Sequence, residues 1–134
     1  MNRRFADTYY FIALFHALDD GHARALELSR DRSFGLMTTR WVLTEFADGF
    51  AASAYREEIA AFIESLMTHA DIVVVPANDE LFLQGLALYR SRPDKQWSLT
   101  DCISFVVMRD WEIQEALTAD HHFEQAGFAA LLKD

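Results

Sequence analysis

The apolar positions of this chain change period repeatedly, from strand-like runs to helical spacing and back. Arg3-Arg4-Phe5-Ala6-Asp7 reads as a short strand that ends at an aspartate. Phe11, Leu14, Phe15 and Leu18 recur at helical spacing and predict a helix over residues 8–18. Asp19-Asp20-Gly21 is turn chemistry, and residues 22–32 predict a second helix with Ala23, Ala25 and Leu26 inward. Residues 34–38 form an apolar run of strand length. Thr39 is placed to cap a helix that runs to about Ala52, with Val42, Leu43, Phe46, Ala47 and Phe50 as its stripe and Glu45 on its flank. Residues 55–68 predict a further helix with Ile59, Phe62, Ile63 and Leu66 inward. Ile72-Val73-Val74-Val75 is the clearest strand, and four β-favouring apolar residues in a row predict burial on both of its faces.

Asn78 or Asp79 starts a helix to about Tyr89, and residues 90–96 form a polar loop. The next stretch, from Trp97 to about Asp110, reads as a helix that is apolar almost all round, hence buried. Its first turn nevertheless carries Asp101. A carboxylate entering a dry interior is costly unless a helix terminus, a cation or a metal compensates it. Ser98-Leu99-Thr100-Asp101 fits a capping box, which accounts for part of that charge. Residues 115–118 predict a strand, 120–125 a short helix stopped by Gly127, and 128–132 a last strand. Strands alternating with helices throughout predict an α/β fold: a three-layer α/β/α sandwich with a mostly parallel central sheet. No linker or internal repeat interrupts it, so residues 1–134 are expected to form one domain.

Composition supports a packed core: 51% of residues are hydrophobic and 13% aromatic. No apolar run approaches the roughly 20 residues that span a bilayer. The first residues meet Asp7 before any long apolar region, which is not a secretory signal. The one cysteine, Cys102, allows no intrachain disulfide. The expected location is cytoplasmic. The net charge of −9 argues against a general polyanion binder, since phosphate contacts need Lys and Arg. Clustered carboxylates offset by divalent ions, or a local basic patch, would circumvent it.

In an open parallel sheet, ligands gather beyond the carboxyl ends of the strands. Asp7 closes the first strand, Asp120 follows the strand at 115–118, Asp101 opens the buried helix, and Glu45 flanks the helix after the second strand. Singly, each has a plainer reading: Asp7 and Asp120 as helix N-caps, Asp101 in its capping box, Glu45 as a solvated charge. Together, carboxylates in one crevice repel and raise one another's pKa. A hard cation such as Mg²⁺ or Mn²⁺ relieves this and prefers oxygen ligands.

The set Phe5-Ala6-Asp7-Thr8, Thr44-Glu45-Phe46, Leu99-Thr100-Asp101-Cys102 and Leu117-Thr118-Ala119-Asp120, followed by His121-His122-Phe123, resembles the PIN-domain ribonucleases, and in particular the VapC-type toxins of prokaryotic toxin–antitoxin pairs. The resemblance spans nearly the whole chain. It implies a PIN-like fold and a Mg²⁺- or Mn²⁺-dependent endoribonuclease, a hydrolase of RNA phosphodiesters. Carried over, Asp7 is the central metal ligand and Asp101 the second carboxylate. Glu45 and Asp120 complete the catalytic quartet, directly or through water. Thr8 and Thr118 are hydroxyls that orient carboxylates or water. Such a site acidifies water and offsets charge on the phosphate. A cognate antitoxin protein and a homodimer are implied partners, with RNA as substrate and no membrane.

Other candidates are weaker. Adjacent His121 and His122 point about 100° apart on a helix and make a poor chelating pair, so they read as surface residues near substrate. Cys102 reads as a buried small hydrophobe, and Trp41, Trp97 and Trp111 as core more than base-stacking platforms. Arg92 and Lys95, with Arg90, form the concentrated basic loop and lead into Asp101. With Arg3, Arg4 and Arg40 they are the candidate substrate contacts. Two competing readings remain. One is a PIN-like binding or regulatory module without catalysis. The other is a receiver-type phosphoryl pocket, which needs a Lys after a late strand that this chain lacks.

Overall fold

A computed structural model describes residues 2–133; Met1 and Asp134, the two ends of the expected domain, lie outside the described residues. Five strands form one sheet: β1 (Asn2–Ala6), β2 (Phe34–Thr39), β3 (Ile72–Val75), β4 (Glu115–Leu117) and β5 (Ala129–Ala130). Every pairing is parallel, in the order β3-β2-β1-β4-β5. The chain therefore works outward from β1 to β3, then crosses back to start β4 on the other side of β1. That reversal leaves a crevice beyond the carboxyl ends of β1 and β4, where ligands collect in such sheets.

Helices α1 (Thr8–Phe15), α2 (His22–Ser29), α3 (Arg40–Gly49) and α4 (Arg56–Thr68) pack with one another. Helices α5 (Asp79–Ser91), α6 (Leu99–Asp110) and α7 (His121–Gln125) form a second group. Two aromatic clusters mark the two groups. Phe11, Phe15, Phe46, Phe50 and Phe62 join α1, α3 and α4. Phe5, Trp97, Phe105, Phe123 and Phe128 join β1 to α6 and α7. The sheet lies between them as the middle layer of a three-layer α/β/α sandwich.

Local signals set the helix starts. Thr39 accepts the Val42 amide, Asn78 accepts the Leu81 amide, and Ser98 and Asp101 exchange both bonds of a capping box. Helix α6 carries seven buried residues, Asp101 among them. It sits close against α5 because residue 85 is glycine: a Cβ there would fall 2.3 Å from Ile103 Cγ1 and 3.2 Å from Ile103 Cα.

Some expectations need correction. β3 is an edge strand, and all four of its residues are only half-buried. Its apolar run reports the β2 neighbour and the helix packed beside it, not a central place in the sheet. Helices α1 and α2 stop at Phe15 and Ser29, short of 18 and 32, and Leu18 is 87% exposed. In α2 only Ala25 is buried. β5 is two residues long, inside the longer strand expected over 128–132. Trp111 is 53% exposed while Trp97 is in the core. Among the described residues, no helix is long and apolar enough to cross a membrane.

Candidate metal centre

The crevice beyond β1 and β4 is a cleft of about 380 Å³ lined by Asp7, Thr8, Tyr9, Glu45, Gln96, Ser98, Asp101, Asp120 and His122, with Ile12. Asp7 arrives there because β1 ends at Ala6 and α1 begins at Thr8, so it occupies the N-cap position, though its side chain makes no capping bond. Asp120 is the N-cap of α7, where its Oδ1 accepts the His122 amide at 2.9 Å. Asp101 is held by the first turn of α6, and Glu45 projects from α3.

Each carboxylate is gripped through one oxygen. Thr118 donates to Asp7 Oδ2 at 2.9 Å. Thr8 donates to Glu45 Oε1 at 2.6 Å. The Ser98 amide donates to Asp101 Oδ2 at 3.1 Å, and His122 Nδ1 lies 3.1 Å from that same oxygen. Thr118 also receives the Asp120 amide at 3.1 Å, so a single hydroxyl links the segments after β1 and β4. Among the described residues, Asp7 Oδ1, Glu45 Oε2, Asp101 Oδ1 and Asp120 Oδ2 accept from no side chain. One oxygen of each group is thus held, and its twin is free of side-chain donors.

The electrostatics agree with that geometry. Asp7 is 6% exposed, and no Lys or Arg pairs with it among the described residues. Burial pushes its pKa up to about 7; the Thr8 amide and Thr118 hydroxyl hold it down only in part, and the charges of Asp101 and Glu45 push it further up. Asp101 is raised as well, first by burial and then by Asp120, against the Ser98 amide and His122. An acid cluster with two buried members, Asp7 and Asp101, and no Lys or Arg among its described lining residues fits a divalent ion. Four carboxylates with open oxygens are the donor set of a hard cation such as Mg²⁺ or Mn²⁺.

His121 and His122 depart from the expected divergence. Their ring centroids are 4.4 Å apart, and with Asp120 they offer ligand atoms within 4.8 Å of one another. Both side chains lean back on Asp120 at the start of the five-residue α7: His121 Nδ1 is 3.6 Å and His122 Nδ1 3.4 Å from Asp120 Oδ1. His122 is the site residue that the pattern of the chain understated. The signal was present in its place two residues after Asp120, but its partner Asp101 lies 21 positions away.

The basic candidates separate. Arg4 is not at the cleft. Its Nη1 bonds Asp31 at 3.1 Å and its Nε bonds Glu115 at 3.2 Å, so its charge is spent near the starts of β2 and β4. Arg92 is bound through both Nε and Nη2 to Asp94, at 3.0 Å each. Arg40 is exposed at the start of α3 and does not line the cleft. Lys95 lies in a groove next to the cleft. Cys102 is buried, and burial pushes its thiol up, away from nucleophilic use.

The PIN domain matches residues 4–129 of this sequence. The chain belongs to the PIN-domain family. It is 31% identical over 125 residues to the Mycobacterium tuberculosis protein named 23S rRNA-specific endonuclease VapC20, covering 92% of this chain and 94% of that one. The crystal structure of M. tuberculosis VapC20, described as a sarcin-ricin loop cleaving toxin, superposes with a TM-score of 0.82 at 26% identity, over 93% of this chain and 95% of that one. VapBC2 from Rickettsia felis, bound to a DNA fragment from its promoter, gives a TM-score of 0.66 at 12% identity and over 95% of this chain, a likeness of fold alone. The PIN fold accounts for the all-parallel sheet between its helices.

Proposed function

We propose that this PIN-domain chain is a metal-dependent endoribonuclease, the toxin component of a toxin–antitoxin pair. The observation that carries the reading is the convergence of Asp7, Glu45, Asp101 and Asp120 in one cleft, each gripped through one oxygen with the other open. Similarity to VapC20 over nearly the full chain supports RNA as the substrate. Asp7, Asp101 and Asp120, with Glu45, would hold Mg²⁺ or Mn²⁺. Bound there, the ion supplies Lewis-acid polarisation of a phosphate oxygen and a more acidic water.

The chain's own residues prepare the site. Thr118 and Thr8 fix the rotamers of Asp7 and Glu45. Ser98 and His122 fix Asp101. Burial keeps Asp7 prone to protonation near neutral pH, so the Thr118 hydroxyl and Thr8 amide are what favour its charged form. Lys95 and Arg90, with Arg40 at the start of α3, are the residues available to meet substrate phosphates. A cognate antitoxin that covers this acidic cleft, a homodimer and a cytoplasmic location belong to the same proposal.

Purified protein with Mn²⁺ or Mg²⁺ should cut RNA, and Asp7→Asn and Asp101→Asn should not. Equal cutting by wild-type and Asp7→Asn protein would assign the activity to a contaminant. Absence of Mn²⁺ binding by calorimetry together with absence of cutting would favour the non-catalytic module.

A further inference from the structure

The start of α7 carries imidazoles that a cluster of carboxylates for Mg²⁺ or Mn²⁺ does not need. Asp120, His121 and His122 present ligand atoms within 4.8 Å of one another. His121 is exposed and does not line the acidic cleft. Its ring is free to point into solvent, yet its Nδ1 is turned back to 3.6 Å from Asp120 Oδ1, and His122 Nδ1 lies 3.4 Å from the same oxygen. No Lys or Arg pairs with Asp120 among the described residues. Glu124, the other acid of α7, is paired with Lys133.

The backbone under these three side chains is firmly seated. Phe123 is fully buried and packs on Phe5 and Phe105. The Trp97 indole donates to Gln125, and the Asp120 amide donates to the Thr118 hydroxyl. Only side-chain torsions have to adjust to a ligand. Imidazole nitrogen suits Zn²⁺, whereas Mg²⁺ and Mn²⁺ favour carboxylate, carbonyl and water. Zn²⁺ holds nitrogen and oxygen at about 2.0–2.2 Å in a tetrahedron, which sets its ligand atoms roughly 3.3 Å from one another. The contacts of 3.4 and 3.6 Å are near that edge. An octahedron of oxygens around Mg²⁺ has a shorter edge, about 2.9 Å.

We propose that Asp120, His121 and His122 form a Zn²⁺ site at the edge of the acidic cleft, and that its occupation competes with the Mg²⁺ or Mn²⁺ of the cleft. Three protein ligands leave the fourth tetrahedral position to water. The competition has a specific cause. Asp120 belongs to both sets of ligands, and His122 Nδ1 is the atom that lies 3.1 Å from Asp101 Oδ2. Zn²⁺ on that nitrogen takes it from Asp101 and draws Asp120 out of the cleft. Zn²⁺ is then an inhibitor of the chain and not its cofactor. The competition rests on the cleft being the divalent-ion site of the proposed nuclease; the zinc site itself does not.

The test titrates Zn²⁺ into the metal-free chain against a chromogenic chelator, and follows Mn²⁺ by calorimetry with and without an equivalent of Zn²⁺. Co²⁺ is the spectroscopic probe, because four-coordinate Co²⁺ absorbs visible light far more strongly than six-coordinate Co²⁺. The wild-type chain should bind Zn²⁺ stoichiometrically and give the strong Co²⁺ band. His121→Ala should weaken Zn²⁺ binding by more than about tenfold and lose the band, with Mn²⁺ affinity unchanged. Asp7→Asn should do the reverse, keeping Zn²⁺ and losing Mn²⁺. Zn²⁺ should lower the Mn²⁺ affinity of the wild-type chain by about tenfold or more and leave that of His121→Ala nearly as it was. The melting temperature of metal-free His121→Ala checks that the exposed substitution leaves the fold intact. Equal Zn²⁺ affinity in wild-type and His121→Ala protein, or loss of Zn²⁺ on Asp7→Asn, overturns the site, since the ion then sits in the acidic cleft. Unchanged Mn²⁺ affinity in the zinc-loaded wild-type chain overturns the competition. A chain that binds Zn²⁺ through His121 but binds no Mn²⁺ keeps the zinc site and removes the basis of the nuclease reading.

Discussion

The two edges of the sheet treat charge in opposite ways. Near the starts of β2 and β4, Arg4 is 13% exposed and its guanidinium is engaged through Nε and Nη1. It bonds Asp31 and Glu115 and stacks 3.7 Å over the Phe34 ring. Near the ends of β1 and β4, Asp7 and Asp101 are as deeply placed, yet only hydroxyls, amides and one imidazole approach them. A charge whose partners are all inside the chain serves the fold. Charges whose neighbours are mostly of the same sign work against the fold, and the structure that holds them in place is arranged for something that is added. The difference marks the acidic cleft as the candidate site without reference to any relative.

The largest test of that contrast is Asp7→Asn. It should cut Mn²⁺ affinity and RNA cleavage by more than about 100-fold, since even residues behind a metal ligand are worth 10–100-fold. It should also raise the melting temperature of the metal-free protein, because a buried charge and its repulsion by Asp101 and Glu45 are removed. Arg4→Met makes the reverse trade. Breaking a half-buried ion network at one partner should lower stability by about 2 kcal/mol in urea titration. Cleavage per folded molecule should not change. If Arg4→Met lost activity without losing stability, or Asp7→Asn destabilised the metal-free protein, the two edges would not differ as argued.

How far the chain's pattern discloses this contrast follows from sequence distance. The capping bonds of Thr39, Asn78 and Ser98 reach three residues ahead, and the residue types that make them can be read in place. Asp7 and Asp120 are legible because strand ends place them on one rim. Arg4 is not legible. Its partners lie 27 and 111 positions away, and an Arg beside another Arg near a chain start reads equally well as a substrate contact. The edge position of β3 is hidden for the same reason, since strand order depends on pairings that no local period records. The tight seating of α5 on α6 needs Gly85, which is plain in the chain, but nothing near it says that Ile103 is the neighbour.

The pH response sharpens the comparison. Asp7 has a folded pKa of about 7 against an ordinary 3.8. Its folded form holds the proton more tightly than the unfolded chain, so its contribution to stability falls as pH rises between those values. Asp101 acts in the same direction. Asp31 acts in the opposite one. Its pKa is lowered first by the Ser33 hydroxyl, with Arg4 adding to it, so its contribution is present above the ordinary carboxylate range and lost in acid. A divalent ion competes with the Asp7 proton. Mn²⁺ affinity should therefore be near its plateau above about pH 7 and fall by roughly tenfold per pH unit below it. Calorimetry in buffers of different ionisation enthalpy should show proton release near neutrality. Proton-free binding at about pH 6 would mean that Asp7 is ionised without the ion.

The smallest effect belongs to His122, the one basic group lining the acidic cleft among the described residues. Its Nδ1 sits 3.1 Å from Asp101 Oδ2 and 3.4 Å from Asp120 Oδ1, and its amide holds the same Asp120 oxygen. A donor at that point links two carboxylates that otherwise repel, and keeps their remaining oxygens turned outward. The amide nitrogen of Asn can stand where Nδ1 stands, whereas Ala supplies no donor. His122→Ala should weaken Mn²⁺ binding by about tenfold, and His122→Asn should recover most of it. Neither should move the melting temperature as far as Arg4→Met does, since the Asp120 cap is made by the backbone of residue 122. If Asn and Ala were equally impaired in Mn²⁺ affinity, the imidazole would be acting through its other nitrogen, and the acidic edge would carry a donor of its own to the ligand.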